Sequence, residues 1–277
     1  MADIIEDTLR DTGEVMQELV LKAGEARRGG RTRRDFFAST AKLAGATALG
    51  AAGAGLLQPI AARAAATGGN TDTAQEILDI AATAEALAVT FYYNALQAGM
   101  ALPDVNSTAN QNYFQAAVTQ ECEHLLYLRK FGAANPPHRF YFPPNMFTDE
   151  SVFFKTALTL EAYFISAYLA AALDFSGAAS SNMTTANTTF LGFAVQVLGV
   201  ECEHRALLGV AANINPPNGI IIESALVKTV ADAGAALRPF VKGGDGYVGP
   251  ISLPTSSEVN TIAQPYGFSF FPRFEID

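Results

Sequence analysis

From residue 71 onward, long apolar stretches are separated by short polar or proline-bearing breaks. The stretch "TDTAQEILDIAATAEALAVTFYYNALQAG" holds no proline and no glycine before its last residue. Within it Ile77, Ile80, Ala84, Leu87, Ala88 and Phe91 recur at the period of an α-helix, which predicts a helix over 71–99. Pro103 and the polar run "DVNSTAN" mark a turn. Further helices are predicted over 107–131, stopped by Gly132 and "NPPH", over 149–175, stopped by Ser176-Gly177, and over 184–212, stopped by "NPPN". A shorter helix over 222–237 ends ahead of Pro239, and 240–277, rich in Gly, Pro and Phe, predicts a loop-like tail packed on the body. Strand-like alternation is scarce. The fold class is therefore all-α, a four-helix bundle with an accessory C-terminal helix and an irregular tail.

The bundle is a duplicated hairpin. "ECEH" occurs at 121–124 and again at 201–204, each followed at the same distance by Asn-Pro-Pro, at 135–137 and 215–217. "EALAVTFYYNA" from Glu85 aligns with "EAYFISAYLAA" from Glu161, sharing Glu, Ala, Tyr and Ala at equal offsets. A helix pair copied once gives a bundle with a pseudo-two-fold axis.

That repeat carries the candidate chemistry. Residues three apart on a helix lie about 60° from each other, so Glu121 and His124 share a face, as do Glu201 and His204. The first and third helices each place one glutamate, Glu85 and Glu161, in an apolar stripe, where it is costly to bury alone. Each of four helices thus brings one carboxylate inward, and two bring an imidazole as well. Four buried carboxylates repel one another unless they are protonated or neutralised by cations. Two divalent ions balance them, and mixed oxygen and nitrogen ligands suit iron or manganese. In the expected arrangement Glu121 and Glu201 bridge two ions, Glu85 and Glu161 are terminal, and each ion takes one histidine. Di-iron carboxylate bundles have this inventory, a Glu from each of two helices and Glu-x-x-His from each of the other two.

Charge and composition narrow the partners. Hydrophobic residues make up 49% of the 277 and charged residues 16%, enough to bury a sizeable core. The net charge of −9 argues against nucleic acid. Two cysteines are too few for a disulfide scaffold or a thiolate zinc site.

The charge is unevenly placed. Residues 1–66 carry nine Lys/Arg and eight Asp/Glu, a net of +1, and the remainder nine and nineteen, a net of −10. The stretch from Arg31 to Gly69 has the basic start, weakly apolar middle and small-residue end of an export signal. Thr32-Arg33-Arg34-Asp35-Phe36 resembles the twin-arginine signal, with Ala38 where lysine is frequent, and Ala64-Ala65-Ala66 offers a cleavage site ahead of Thr67. Met16 is an alternative start. The expected organisation is a leader and signal over 1–66, a bundle over 67–218, and an accessory helix and tail over 219–277. The twin-arginine translocase is then a partner, and the periplasm or another exported location the destination.

At these residues the chain resembles the ferritin-like superfamily, and most of all its exported ferritin-like domain family that includes plant desiccation-related proteins. The resemblance covers about 70–215 and implies Glu85, Glu121, His124, Glu161, Glu201 and His204 as ligands of two iron or two manganese ions. It implies chemistry with oxygen or hydrogen peroxide, as a ferroxidase or in peroxide removal, with Glu121 and Glu201 catalytic as carboxylates that shift to admit the oxidant. The alternative is a non-catalytic, stress-protective protein braced by its metals. A pair of Cys-x-x-Cys motifs, as in full rubrerythrins, is missing, and no methionine suggests itself as a haem ligand. The symmetric ligand set does not imply a storage cage. A homo-oligomer is compatible with all of this.

Tyr92 and Tyr168 follow Glu85 and Glu161 by seven residues; they are placed to hydrogen-bond a ligand or carry an electron, although core packing is the preferred reading. Cys122 and Cys202 are expected as two small buried thiols rather than a disulfide, which an oxidising space would permit. His138 is expected at the surface, and Glu123 and Glu203 facing away from the site. The run 152–173 is long enough for a membrane helix, but Lys155 and Glu161 argue against that.

Overall fold

The computed structural model describes residues 72–176, 185–220 and 225–263; the side chains of 185–188 and 263 are not described. The expected signal and its cleavage site lie outside the described residues. Four long helices form the body: α1 (Ala74–Gln97), α2 (Gln111–Lys130), α3 (Glu150–Phe175) and α4 (Thr185–Ala211). Each sequence-predicted bundle helix is present.

Local chemistry fixes where these helices begin. Thr73 caps α1 in a reciprocal box with Glu76, and Asp149 caps α3 by accepting from the amides of Ser151 and Val152. Helix α2 begins four residues later than expected because the backbone of 107–110 is already engaged. Ser107 Oγ accepts from the Asn110 amide, and Asn110 Nδ2 donates to the Asp104 carbonyl. Such local side-chain bonds compete with helix formation. The start of α1 meets the end of α2, since Gln75 donates to the Gly132 carbonyl and Asp79 accepts from the Ala134 amide. That contact makes the pair antiparallel. α3 and α4 form the second hairpin, with Phe175 packed on Phe190 at 5.3 Å.

The accessory helix differs from expectation. It runs as α5 (Val230–Lys242), with Pro239 inside it. Its start is set by Thr229, which accepts from the Asp232 amide, and by Asp72, which accepts from the amides of Val230 and Ala231. Pro239 forgoes one helical hydrogen bond, but the neighbouring Leu237 and Phe240 are buried, and their burial outweighs the loss. The helix ends at Gly243, whose φ of 66° suits glycine; a Cβ there would sit 2.9 Å from the Tyr141 ring.

Over 240–263, its described part, the tail is more ordered than a loop. Strand β2 (Val248–Ser252) pairs antiparallel with β1 (Arg139–Phe142), with Arg139 opposite Ser252, Phe140 opposite Ile251 and Phe142 opposite Val248, and a register break between Phe140 and Phe142. Phe140 and Phe142 are buried. A further helix, α6 (Ser256–Ala263), packs on α2. α5 covers the side of the bundle formed by α1 and α3 and also touches β1. Among the described residues α3 alone is long and apolar enough to cross a membrane by length and composition, yet much of its apolar surface is buried in the bundle.

Candidate metal centre

The four helices bring six expected residues to one place. Glu85 comes from α1, Glu121 and His124 from α2, Glu161 from α3, and Glu201 and His204 from α4. Glu121, Glu161 and Glu201 have no measurable exposure, Glu85 and His204 have 2%, and His124 has 8%. Two overlapping groups arise, each with ligand atoms within 4.8 Å of one another: Glu85, Glu121, His124 and Glu201, and Glu121, Glu161, Glu201 and His204. Glu121 and Glu201 belong to both, the sharing expected of bridging carboxylates.

Both imidazoles present Nδ1 to the carboxylates. His124 Nδ1 lies 3.3 Å from Glu121, 3.5 Å from Glu85 and 3.6 Å from Glu201. His204 Nδ1 lies 3.1 Å from Glu121 and 3.3 Å from Glu201. The far nitrogen of His204, Nε2, donates to Gln120 Oε1 at 2.9 Å. The carboxylates are tied crosswise between the hairpins. Tyr92 on α1 donates to Glu161 on α3 at 2.5 Å, and Tyr168 on α3 donates to Glu85 on α1.

One oxygen on each glutamate is left over. Glu85 Oε2, Glu121 Oε1, Glu161 Oε2 and Glu201 Oε1 are buried without a well-formed hydrogen bond; the first, second and fourth have only a histidine Nδ1 at 3.1–3.6 Å, and Glu161 Oε2 has not even that. Buried carboxylate oxygens without hydrogen bonds are costly, and native interiors rarely keep them. Here four of them converge with two imidazole nitrogens. Hard oxygen donors and borderline nitrogen donors in one small buried space fit divalent transition-metal cations. The buried Glu/His cluster can hold metal ions.

The electrostatics agree. Burial first, and then the charges of neighbouring carboxylates, push Glu121 and Glu201 above the ordinary carboxyl value of 4.5, Glu121 well above it. Glu161 is also pushed well above that value, by burial and then by the charge of Glu201. Glu85 moves the other way: burial would raise it, but hydrogen bonds from Glu121, His124 and Tyr168 and the charge of His124 outweigh burial. His124 reaches about 9 although burial opposes it, because Glu85 and Glu121 surround it, and His204 is raised for the same kind of reason. Burial and carboxylate charge also hold both tyrosine hydroxyls well above their ordinary value, so they stay proton donors. Without cations the cluster therefore keeps protons that metal ions would displace.

Several secondary expectations are corrected or filled in. Cys122 is buried, but Cys202 is exposed, because the duplicated face is covered on α2 and open on α4; the two form no disulfide. The hydroxyls of Tyr92 and Tyr168 meet the cluster carboxylates Glu161 and Glu85 rather than serving only as core packing. Glu123 is half-buried, and burial lifts it to about 7 against the pull of Lys130 and His124, while Glu203 and His138 are exposed. Gln120 went unnoticed in the sequence; its position directly before the first Glu-x-x-His was the available signal.

A family model described as a ferritin-like domain matches residues 73–213, just over half of the chain, and spans all six cluster residues. No curated protein and no solved structure matches the chain.

Proposed function

This chain belongs to the ferritin-like domain family, and from that premise we propose that it is a dinuclear iron or manganese protein that reacts with oxygen or hydrogen peroxide in the cell envelope. The observation that carries the proposal is the set of four buried carboxylate oxygens left without hydrogen bonds, one per bundle helix. Glu121 and Glu201 would bridge the two ions. Glu85 with His124 would complete one position, and Glu161 with His204 the other. Such ions, when bound, supply the electron transfer that oxygen or peroxide reduction requires.

The remaining work falls to the chain. Tyr92 and Tyr168 hold the terminal glutamates in place from the opposite hairpin. Glu121 and Glu201 are the carboxylates placed to shift and open a position for the oxidant. A small cleft bordered by Tyr92, Tyr113, His204 and Leu207 reaches the cluster between α2 and α4. Oxygen or peroxide is small enough to enter it. The apolar shell keeps bulk water from the site. The Arg33-Arg34 leader supports export by the twin-arginine translocase.

The deciding experiment is metal analysis of the purified protein, joined to an assay of oxygen and peroxide consumption. Metal near two ions per chain, with repeated turnover that is lost in Glu121→Ala, is expected. Fewer than about one ion per chain after reloading would remove the dinuclear reading. A fully loaded but inert protein would leave the metals as a brace for the bundle.

A further inference from the structure

The duplication makes the two halves of the cluster look equivalent, but they differ at the outer nitrogen of the histidine. His204 Nε2 donates to Gln120 across the α2–α4 interface at 2.9 Å. Gln120 directly precedes Glu121, and the residue directly preceding Glu201 is Val200. The pseudo-two-fold therefore maps an amide acceptor onto an alkyl group. His124 receives no matching acceptor from that position. Its side chain is also the more open of the two, at 10% exposure against 2% for His204.

We propose that Gln120 is a positioning residue that makes the two metal positions unequal, so that the Glu161/His204 half fills first and the Glu85/His124 half second. This rests on the dinuclear reading above. An imidazole that binds metal through Nδ1 must keep its proton on Nε2, and an acceptor fixed at Nε2 holds both that tautomer and the ring orientation. Loss of such a partner typically costs about 10–100-fold in metal affinity. Water reaching the His124 edge replaces part of this, but an ordered water must itself be immobilised, whereas Gln120 is carried on a helix. The two dissociation constants therefore differ by about tenfold or more.

The test is a titration of metal-free protein with Co²⁺, followed by calorimetry and by visible absorption of the bound ion. The wild type takes up Co²⁺ in two resolved steps. Gln120→Leu, close in size but without an acceptor, weakens the first step by about tenfold or more and merges it with the second. Gln120→Glu, which keeps an acceptor, retains the tight first step. Val200→Gln gives His124 an acceptor and tightens the second step instead. If Val200→Gln does not fold, the two Gln120 variants decide. Two indistinguishable steps in the wild type, or a Gln120→Leu titration that overlays it, overturns the inequivalence and leaves the dinuclear site standing. A wild-type protein that binds no Co²⁺ overturns both.

Discussion

Tyr92 on α1 donates its hydroxyl hydrogen to Glu161 on α3, and Tyr168 on α3 returns the same bond to Glu85 on α1. Each hairpin thus steadies a buried cluster glutamate of the other. Tyr92→Phe removes the hydrogen bond to one oxygen of the buried Glu161 carboxylate. Leaving a buried acceptor unmet costs about 1–3 kcal/mol. The expected result is a metal-free protein destabilised by that amount, with metal affinity reduced about tenfold at one position and not at both. Chemical denaturation and a metal titration of the variant measure the two effects.

Glu121→Gln should stabilise the protein and disable it together. Burial and the charges of Glu201 and Glu85 raise the Glu121 carboxyl, so in the metal-free state its ionised form is a liability. An amide of the same shape removes that charge. A gain of about 1 kcal/mol corresponds to a rise of about 2–4 °C in Tm for a body of this size. The same change removes an anionic ligand shared by both positions, so metal content falls. Thermal melts with chelator, beside metal analysis of the loaded protein, are the measurements; a variant less stable without metal would contradict the electrostatic account.

Opposite pH trends are expected with and without metal. Glu121, Glu161 and Glu201 have folded-state values above 4.5, so the folded chain holds protons the unfolded chain releases, and stability falls as pH rises past 4.5. His124 is raised from 6.5 to about 9; its contribution is full below 6.5 and disappears by about 9. Glu85, shifted downward, contributes above its ordinary 4.5 and loses that only on acidification, outside this window. The Tm of metal-free protein therefore declines between pH 5 and pH 9. Metal binding strengthens over the same interval because the ligands must be deprotonated. The gap between melts with and without chelator should widen with pH, and a constant gap would show that no proton is displaced.

Replacing Arg33 and Arg34 by Lys should retain a folded, metal-loaded precursor inside the cell. Metal affinity at nitrogen and oxygen sites generally favours copper and zinc over iron and manganese. Folding before export lets the cytoplasmic supply choose the occupant. Fractionation with metal analysis of both forms is the check. Normal export of the Lys-Lys form removes the twin-arginine reading, and a retained, folded, metal-free precursor removes the loading argument alone.

The cluster was legible because duplication writes it twice. Glu121 and His124 share a face by spacing alone, and Glu201 and His204 repeat it in apolar surroundings. The bundle helices were legible for the same reason, with a long apolar period broken by Pro and Gly. What escaped notice depended on partners distant in sequence. Helix α5 tolerates Pro239 because Leu237 and Phe240 are buried and Asp72, 158 residues before Val230, caps its start. Strand β1 is four residues long and its partner contains Gly249 and Pro250, so neither shows a strand pattern alone. Helix α6 did leave a local mark, the reciprocal bonding of Thr255 and Glu258 in "TSSE", a capping box that the composition of the tail obscured. The tyrosine bonds needed the crossing of two hairpins, which periodicity does not encode.

The bond from Asp72 to the start of α5 has a consequence for the order of assembly. A ribosome makes α5 only after all four bundle helices, so the side of the bundle next to Tyr168 is covered late, by a segment anchored to the residue just ahead of α1. The nascent chain therefore has an interval in which the glutamates and histidines exist but this cover does not. An ion can enter during that interval with little protein to displace. Once α5 docks, that side is shut by a capped helix, and the cleft bordered by Tyr92 and His204 between α2 and α4 is the approach left to an ion that would replace the first.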